Sequence, residues 1–253
     1  TADVQGAKPG GTWSANIATL VQHIVQNYGP ATTRYSAGDL DSASLSAFAS
    51  ANPQPVGLCL TDRANVLQVC QDLAASVGAQ VVVTTLGKLR LIQLALPAGG
   101  TPTAVTAQDF DEHSLSVTER PPVQATAKLG WGRNWSVQTS GLATGLPASS
   151  AAALGQGVLS VTSSDATATS VYKLGTQPEQ VDTLLVVESD ATTEAARRRD
   201  LWKTPRQVYT ARYRAHLLLT ELGDSITLTH ARFGLSGGVT GLVTHIEIGR
   251  ASC

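Results

Sequence analysis

The strongest constraint on the fold lies in the last fifty residues, from Pro205 to Arg250. They read as strand, turn, strand, loop, strand. Residues 207–218 look extended, with Val208 and Thr210 alternating against Tyr209, Ala211 and Tyr213. Leu222-Gly223-Asp224 marks a turn, and Ile226 and Leu228 then alternate with Thr227 and Thr229. Phe233-Gly234-Leu235-Ser236-Gly237-Gly238 breaks the chain, and residues 239–248 resume an extended course. Period-two alternation between glycine-rich turns predicts antiparallel strands with one face in a core. The expected sheet places 207–219 and 239–248 together, with Ile226 and Leu228 turned to the core between them. Such a series suits a barrel or sandwich, and a chain that works within an assembly.

A chain of 253 residues can bury a large core and is expected to hold two domains. The net charge is -1 and only 15% of residues are charged, so much of the surface falls to Ala, Ser, Thr and Gly. That suits a surface covered by neighbouring subunits. It argues against general nucleic-acid binding, which needs a basic excess to displace counterions. No run approaches the ~18 apolar residues of a membrane span, and no signal peptide is visible. Cys59, Cys70 and Cys253 have no metal-ligand spacing. They read as buried free thiols, with a Cys59–Cys70 disulfide as the alternative. The chain has no Met and starts at Thr1, which suggests a fragment or processed product with a domain missing before it.

Residues 1–11 read as the end of a strand from such a preceding part, then a Gly-Gly turn. Ser14 can cap a helix with Ile17, Leu20, Val21, Ile24, Val25 and Tyr28 on one stripe, ended by Gly29-Pro30. A second helix is expected over 39–50 and a short extended run over 56–60. Thr61 and Asp62 would open a third helix, with Val66, Leu67, Cys70, Leu73, Ala74 and Val77 inward and Gly78 as its C-terminal cap. A hairpin follows, 80–85 and 88–94 around Leu86-Gly87, with Lys88 and Arg90 on one face and Leu89 and Leu91 on the other. Residues 97–102 are rich in Pro and Gly and mark the expected domain boundary. Strands are expected over 105–118 and 123–138, separated by Arg120-Pro121-Pro122. Residues 139–170 carry no Lys or Arg and read as a long projecting loop that orders against another subunit. An extended stretch over 171–188 then leads to a helix capped by Asp190 and stopped by Thr204-Pro205.

This order of segments resembles the tail hub, or tail-tip, proteins of phages. The resemblance rests on the helix–Gly–hairpin unit over 61–94 and on a strand pair containing Gly130-Trp131-Gly132-Arg133-Asn134-Trp135-Ser136-Val137. It continues with the lone helix before Pro205, the strand that follows, Leu222 to Leu228, and Gly234-Leu235 leading to a last strand. It covers about 14–250, and none of its motifs is a catalytic signature. The resemblance implies a homotrimeric baseplate hub: barrel-like domains forming a ring at the end of the tail tube, joining tube to spike on the path of DNA exit. It also implies a place in the virion tail, made in a bacterial host cytoplasm, and another barrel domain before Thr1.

Four constellations carry chemistry on paper. Gly234-Leu235-Ser236-Gly237-Gly238 matches the serine-hydrolase elbow, for which His245 and Asp224 would have to be recruited. Its flanks are both strand-like, so a hairpin loop is expected. Asp109-Phe110-Asp111-Glu112-His113 would put Asp109, Asp111 and His113 on one strand face, either as cation ligands or as a solvated face. Trp131, Arg133 and Trp135 would share a strand face, able to stack a sugar or base, or to pack at a barrel seam. Arg197, Arg198 and Arg199 lie on the helix before Pro205 and offer an ion-pair surface to a neighbouring subunit, or a solvated helix face. No nucleotide-binding loop or zinc spacing is present.

The expected fold class is therefore α+β. Residues 1–96 form an α/β unit, 97–104 a linker, and 105–253 a mainly antiparallel β barrel-like domain with one helix and the 139–170 loop. The expected role is structural, without catalytic residues, cofactor or metal. DNA passage is expected without specific nucleic-acid binding. The alternatives are a tail-associated cell-wall hydrolase and a carbohydrate-binding module.

Overall fold

The computed structural model describes residues 8–97, 101–175 and 177–247. The chain is mixed α+β. Helix α1 (Ile17–Asn27) buries Ile17, Val21 and Val25, as its apolar stripe requires. Its cap is Asn16, whose side chain accepts from the Ala18 and Thr19 N–H groups, and Ser14 supports that cap by accepting from the Asn16 N–H at 3.2 Å. Asn16 wins the cap because its amide also donates to the Ala49 and Asn52 carbonyls, fastening α1 to the end of the next helix. That helix, α2 (Ser42–Ala51), is capped by Asp41.

Helix α3 (Val66–Ala75) starts later than Thr61-Asp62 suggests. Asn65 takes the cap, its side chain accepting from Leu67 and Gln68. Val69, Cys70, Leu73 and Ala74 are buried, while Leu67 is exposed. Gly78, at φ +63°, turns the chain into β1 (Ala79–Val83), which pairs antiparallel with β2 (Leu89–Gln93). The hairpin forms as expected. Register Val81↔Leu91 and Val83↔Leu89 puts these residues on the face that carries the buried Leu89 and Leu91.

Two buried clusters organise the chain, and they do not follow the expected division into 1–96 and 105–253. The first holds α1, α2, α3 and the hairpin, and also takes in Leu184, Leu185 and Ala191, with Trp131 and Val161 packed against it. Trp131 and Val161 belong to a three-stranded sheet in the order β6-β5-β7: β5 (Thr126–Trp131), β6 (Leu159–Ser164) and β7 (Gln180–Asp182), while Leu184 and Leu185 follow β7. Helix α6 (Glu188–Trp202) packs on β5 and β6. The second cluster holds Val105, Phe110, Leu115, Leu228 and Leu235, with Tyr209, Ala211, Leu217 and Ile226 against it. Around it lie β3 (Thr103–Val105), β9 (Ser225–Leu228) and β10 (Val239–Leu242), with β9 central, and the ribbon of β4 (Ser116–Glu119) with β8 (Val208–Thr210). The chain thus leaves the first cluster after β2, returns at β5 and leaves again after α6. Proline marks all three passages, at Pro97 and Pro102, at Pro121-Pro122, and at Pro205. Proline cannot donate to a ladder, so no sheet runs through these points.

Several sequence expectations are corrected. Residues 139–170 are not a projecting loop: they contain α4 (Ala148–Gly155), β6 and the start of α5 (Ala166–Tyr172). β6 pairs with β5 over six positions, from Thr126↔Ser164 to Trp131↔Leu159. The stretches 105–118, 123–138 and 171–188 form only short strands. Helix α6 starts at Glu188, two residues before Asp190. The long strand expected over 207–219 is β8 alone, paired with β4 and not with the 239–248 strand. After Tyr213 the alternation fails: Leu217 turns to the second cluster while Leu218 and Leu219 are exposed. Three consecutive leucines cannot share one strand face, and a 3-10 turn over Ala215–Leu217 splits them. Among the described residues four sheets of two or three strands occur, and none closes into a barrel. Residues 1–7 and 248–253, including Cys253 and the end of the last expected strand, lie outside the described residues, as do 98–100 of the linker.

Candidate functional site

One group of charged side chains ties α6 to the C-terminal end of α3. Glu194 is 2% exposed, and the chain brings two cations to it at helical spacing. Arg197 Nε donates to one carboxylate oxygen and Arg198 Nε to the other, each at 2.7 Å. The same guanidinia reach across to α3. Arg198 donates to the Ala75 and Ser76 carbonyls at 2.8 and 3.2 Å, and Arg197 to the Val77 carbonyl at 3.0 Å and to Leu94 at 2.8 Å. A helix leaves its last carbonyls without internal partners, and its C-terminus favours positive charge. The two arginines fill both needs, and Glu194 balances them. The sequence carries a signal for this group, an acid three and four residues before two arginines, which the charge of the arginines alone does not reveal.

Arg199 points elsewhere. It donates to Ser163 Oγ at 2.8 Å and pairs with Asp200 at 2.8 Å. Lys203 then links Asp200, at 2.9 Å, to Asp165, at 3.1 Å. The Ala168 N–H, capped by Asp165, and then the Lys203 ammonium hold the Asp165 carboxyl below its ordinary range. Asp200 is likewise lowered, chiefly by the hydrogen bond from Lys203, and Lys203 is raised by Asp200 and Asp165. Arg197, Arg198 and Arg199, expected as a subunit-facing surface, are engaged with groups of their own chain.

The aromatic constellation is only partly assembled. Trp131 ends β5 and packs against the first cluster. Gly132, at φ +59°, then turns the chain, so Trp131, Arg133 and Trp135 do not share a strand face. The Arg133 guanidinium stacks over the exposed Trp135 ring at 4.9 Å.

The two catalytic possibilities come apart. Ser236 lies in the connection between the antiparallel strands β9 and β10, as expected, and not at a strand-to-helix turn. Asp224 accepts from the Glu221 N–H at 2.8 Å, and no hydrogen bond joins it to Ser236 or His245 among the described residues. The 109–113 cluster is bent, not extended. Asp109 accepts from the Thr106 N–H and hydroxyl and pairs with His216 at 2.9 Å, while Asp111 accepts from the His113 N–H. The Thr106 bonds, first from its N–H and then from its hydroxyl, hold the Asp109 carboxyl low. Phe110 between them is buried, edge-on to Tyr213 at 5.9 Å. Among the described residues no three His, Cys, Asp or Glu side chains gather at metal-binding distance.

The thiols differ from expectation at one position: Cys59 is exposed, Cys70 is buried, and both are free. Burial pushes the Cys70 thiol up to about 12. No helix among the described residues is long and apolar enough to cross a membrane.

A junction between the two clusters forms at the hairpin. Glu221 accepts from the Thr85 N–H at 2.9 Å and from its hydroxyl. Asp224 lies 3.8 Å from Arg90, and Gly223 lies against Ile92. A cavity of about 490 Å³ opens beside β5, lined by Thr126, Trp202 and residues before β7. Comparison of the sequence with protein-family models and with curated proteins finds no match.

Proposed function

We propose that the chain is a structural subunit of a phage or prophage tail, one of three copies that close into a hub at the tip of the tail tube and connect the tube to the spike. The order of segments supports this reading, and one feature of the fold carries it. The sheets around the second cluster are open ribbons. β3 and β10 are both edges of their sheet, and β4 and β8 are both edges of theirs. An open edge presents unpaired N–H and C=O groups that another chain can take up. In a closed ring, neighbouring copies would complete these ribbons into the barrel-like domain. Exposed Val239 on β10 and exposed Leu218 and Leu219 beside the same cluster add apolar surface for that contact. With 15% charged residues, copies meet without desolvating many ions. The net charge of -1 suits a ring through which DNA passes without being bound.

Light scattering tests the reading. A mass three times the 26.3 kDa of one chain is expected at high protein concentration. A monomer under those conditions overturns it, as does peptidoglycan or ester hydrolysis that disappears in Ser236→Ala.

A further inference from the structure

An open sheet edge invites a further strand, and folded chains shorten, charge, bend or cover such edges. The edges of this chain follow that rule with two exceptions. β3, β7 and β8 are each only three residues long. β4 carries Glu119 and a bulge between Val117 and Glu119. β2 carries Arg90, and its Leu89 carbonyl already accepts from the Asp41 N–H at 2.9 Å. On β1 the Val81 N–H is taken by the Gln71 side chain at 2.9 Å. β6 and β10 have none of these devices. Leu159-Ser160-Val161-Thr162-Ser163-Ser164 and Val239-Thr240-Gly241-Leu242 contain no charge, no proline and no bulge.

The ladders assign the free backbone groups of both edges. The Asp165 N–H donates to the Ala125 carbonyl at 2.8 Å, so odd-numbered residues of β6 face β5. Ser160, Thr162 and Ser164 therefore turn their N–H and C=O groups outward. The Val243 N–H donates to the Asp224 carbonyl at 2.9 Å, so Val239 and Gly241 face β9, and Thr240 and Leu242 turn outward. No backbone hydrogen bond reaches these outward groups among the described residues.

The surface beside β6 is also left uncovered by its own chain. Residues 136–164 carry no charged side chain. Helix α4, just before β6, buries none of its residues, and a helix this short draws its stability from packing. Trp135 and Val137 are exposed on a loop fixed beside it, with the Asn134 N–H on the Gly157 carbonyl at 2.8 Å and the Gln138 N–H on the Leu154 carbonyl at 3.0 Å. β6 belongs to the first cluster through Val161, and β10 to the second through its partner β9. A ring closed by rotation needs two different patches on each copy, one meeting the other.

We infer that β6 of one copy pairs with β10 of the next. Each contact then joins two sheets into one, in the order β7-β5-β6-β10-β9-β3. The inference rests on the hub reading and names the contact that closes the ring.

Hydrogen exchange followed by mass spectrometry tests it, at protein concentrations below and above those at which light scattering shows the trimer. Exchange in 159–165 and 239–243 should slow about tenfold or more as the trimer forms. Thr162→Lys and Thr240→Lys each charge one exposed edge position and should stay folded by circular dichroism, while trimer affinity falls about tenfold or more. Mixed in equal amounts, the two variants should form a one-to-one dimer, since each supplies the edge that the other lacks. A parent chain that stays monomeric overturns this contact together with the hub reading. A trimer in which 159–165 and 239–243 exchange as fast as in the monomer overturns the contact alone, as does a trimer kept by both lysine variants. Association of either variant with itself, but not with the other, also overturns it and gives the edges to like-with-like pairing.

Discussion

A Cβ on Gly78 would lie 2.5 Å from Arg197 Nη2, closer than real contacts allow. Gly78 is also at φ +63°, where a side chain is strained regardless of space. The backbone conformation thus favours glycine at this turn, and the arginine that covers the end of α3 would have to shift for any larger residue. Gly78→Ala should lower unfolding free energy by about 1–3 kcal/mol in urea titration. A change within experimental error would show that Gly78 does not hold the left-handed conformation.

Glu194 holds two guanidinia while itself buried. Removing one partner of a buried ion pair leaves uncompensated charge and costs about 3–5 kcal/mol. Glu194→Ala should approach the lower end of that range, since both arginines keep some solvent access. Glu194→Gln, which preserves shape and loses charge, should cost less. Equal stability of both variants and the parent chain would remove the cluster from the account of the fold.

Strand β9 tests the register of the second cluster. Leu228 is buried in it, and Leu228→Ala should cost about 2–5 kcal/mol. Thr227 points the other way, its hydroxyl 2.9 Å from that of Thr240 across the β9–β10 pair. Thr227→Ala should cost about 1 kcal/mol or less. Similar melting temperatures for the two variants would place the strand one residue out of register.

Acid should loosen the α6–β6 side through Asp165 and Asp200. Both carboxyls are lowered below 3.8 in the folded chain. A lowered acid stabilises above its unfolded value, and that contribution is lost as pH falls through the folded value. Lys203 is raised above 10.5, so its contribution holds below that value and is lost as pH rises through the folded one. The melting temperature of Asp165→Asn should therefore fall less between pH 5 and pH 3 than that of the parent chain. Parallel curves would show that neither the Ala168 cap nor the Lys203–Asp165 pair holds the Asp165 carboxyl in solution.

Local chemistry made α1 and the β1–β2 hairpin legible. An apolar stripe ended by Gly29, and β-branched residues around Leu86-Gly87, act within a few residues of chain. The helix caps were misplaced because Ser14, Thr61-Asp62 and Asp190 compete with better-placed neighbours: Asn16 takes α1, Asn65 takes α3, and α6 begins at Glu188 before Asp190. The 139–170 stretch misled for another reason. Its small residues suggest a loop, yet Leu159, Val161 and Ser163 alternate with the exposed Ser160, Thr162 and Ser164, a strand pattern in weakly apolar residues. Of the site residues, the Arg197 to Arg199 cluster was visible, while its target was not.

The sequence by itself determined where the chain turns and which short segments are amphipathic, because those preferences arise from steric and hydrogen-bonding terms between near neighbours. It marked the prolines at which the chain passes between clusters. Only the tertiary structure decided that β5, β6, β7 and α6 complete the first cluster, that Arg197 reaches carbonyls 103 and 120 residues away, and that Glu221 closes on Thr85 across 136 residues. Such contacts depend on which surfaces meet after the chain has folded back. No local pattern encodes the meeting, since either partner alone is an ordinary helix end, turn or charged side chain.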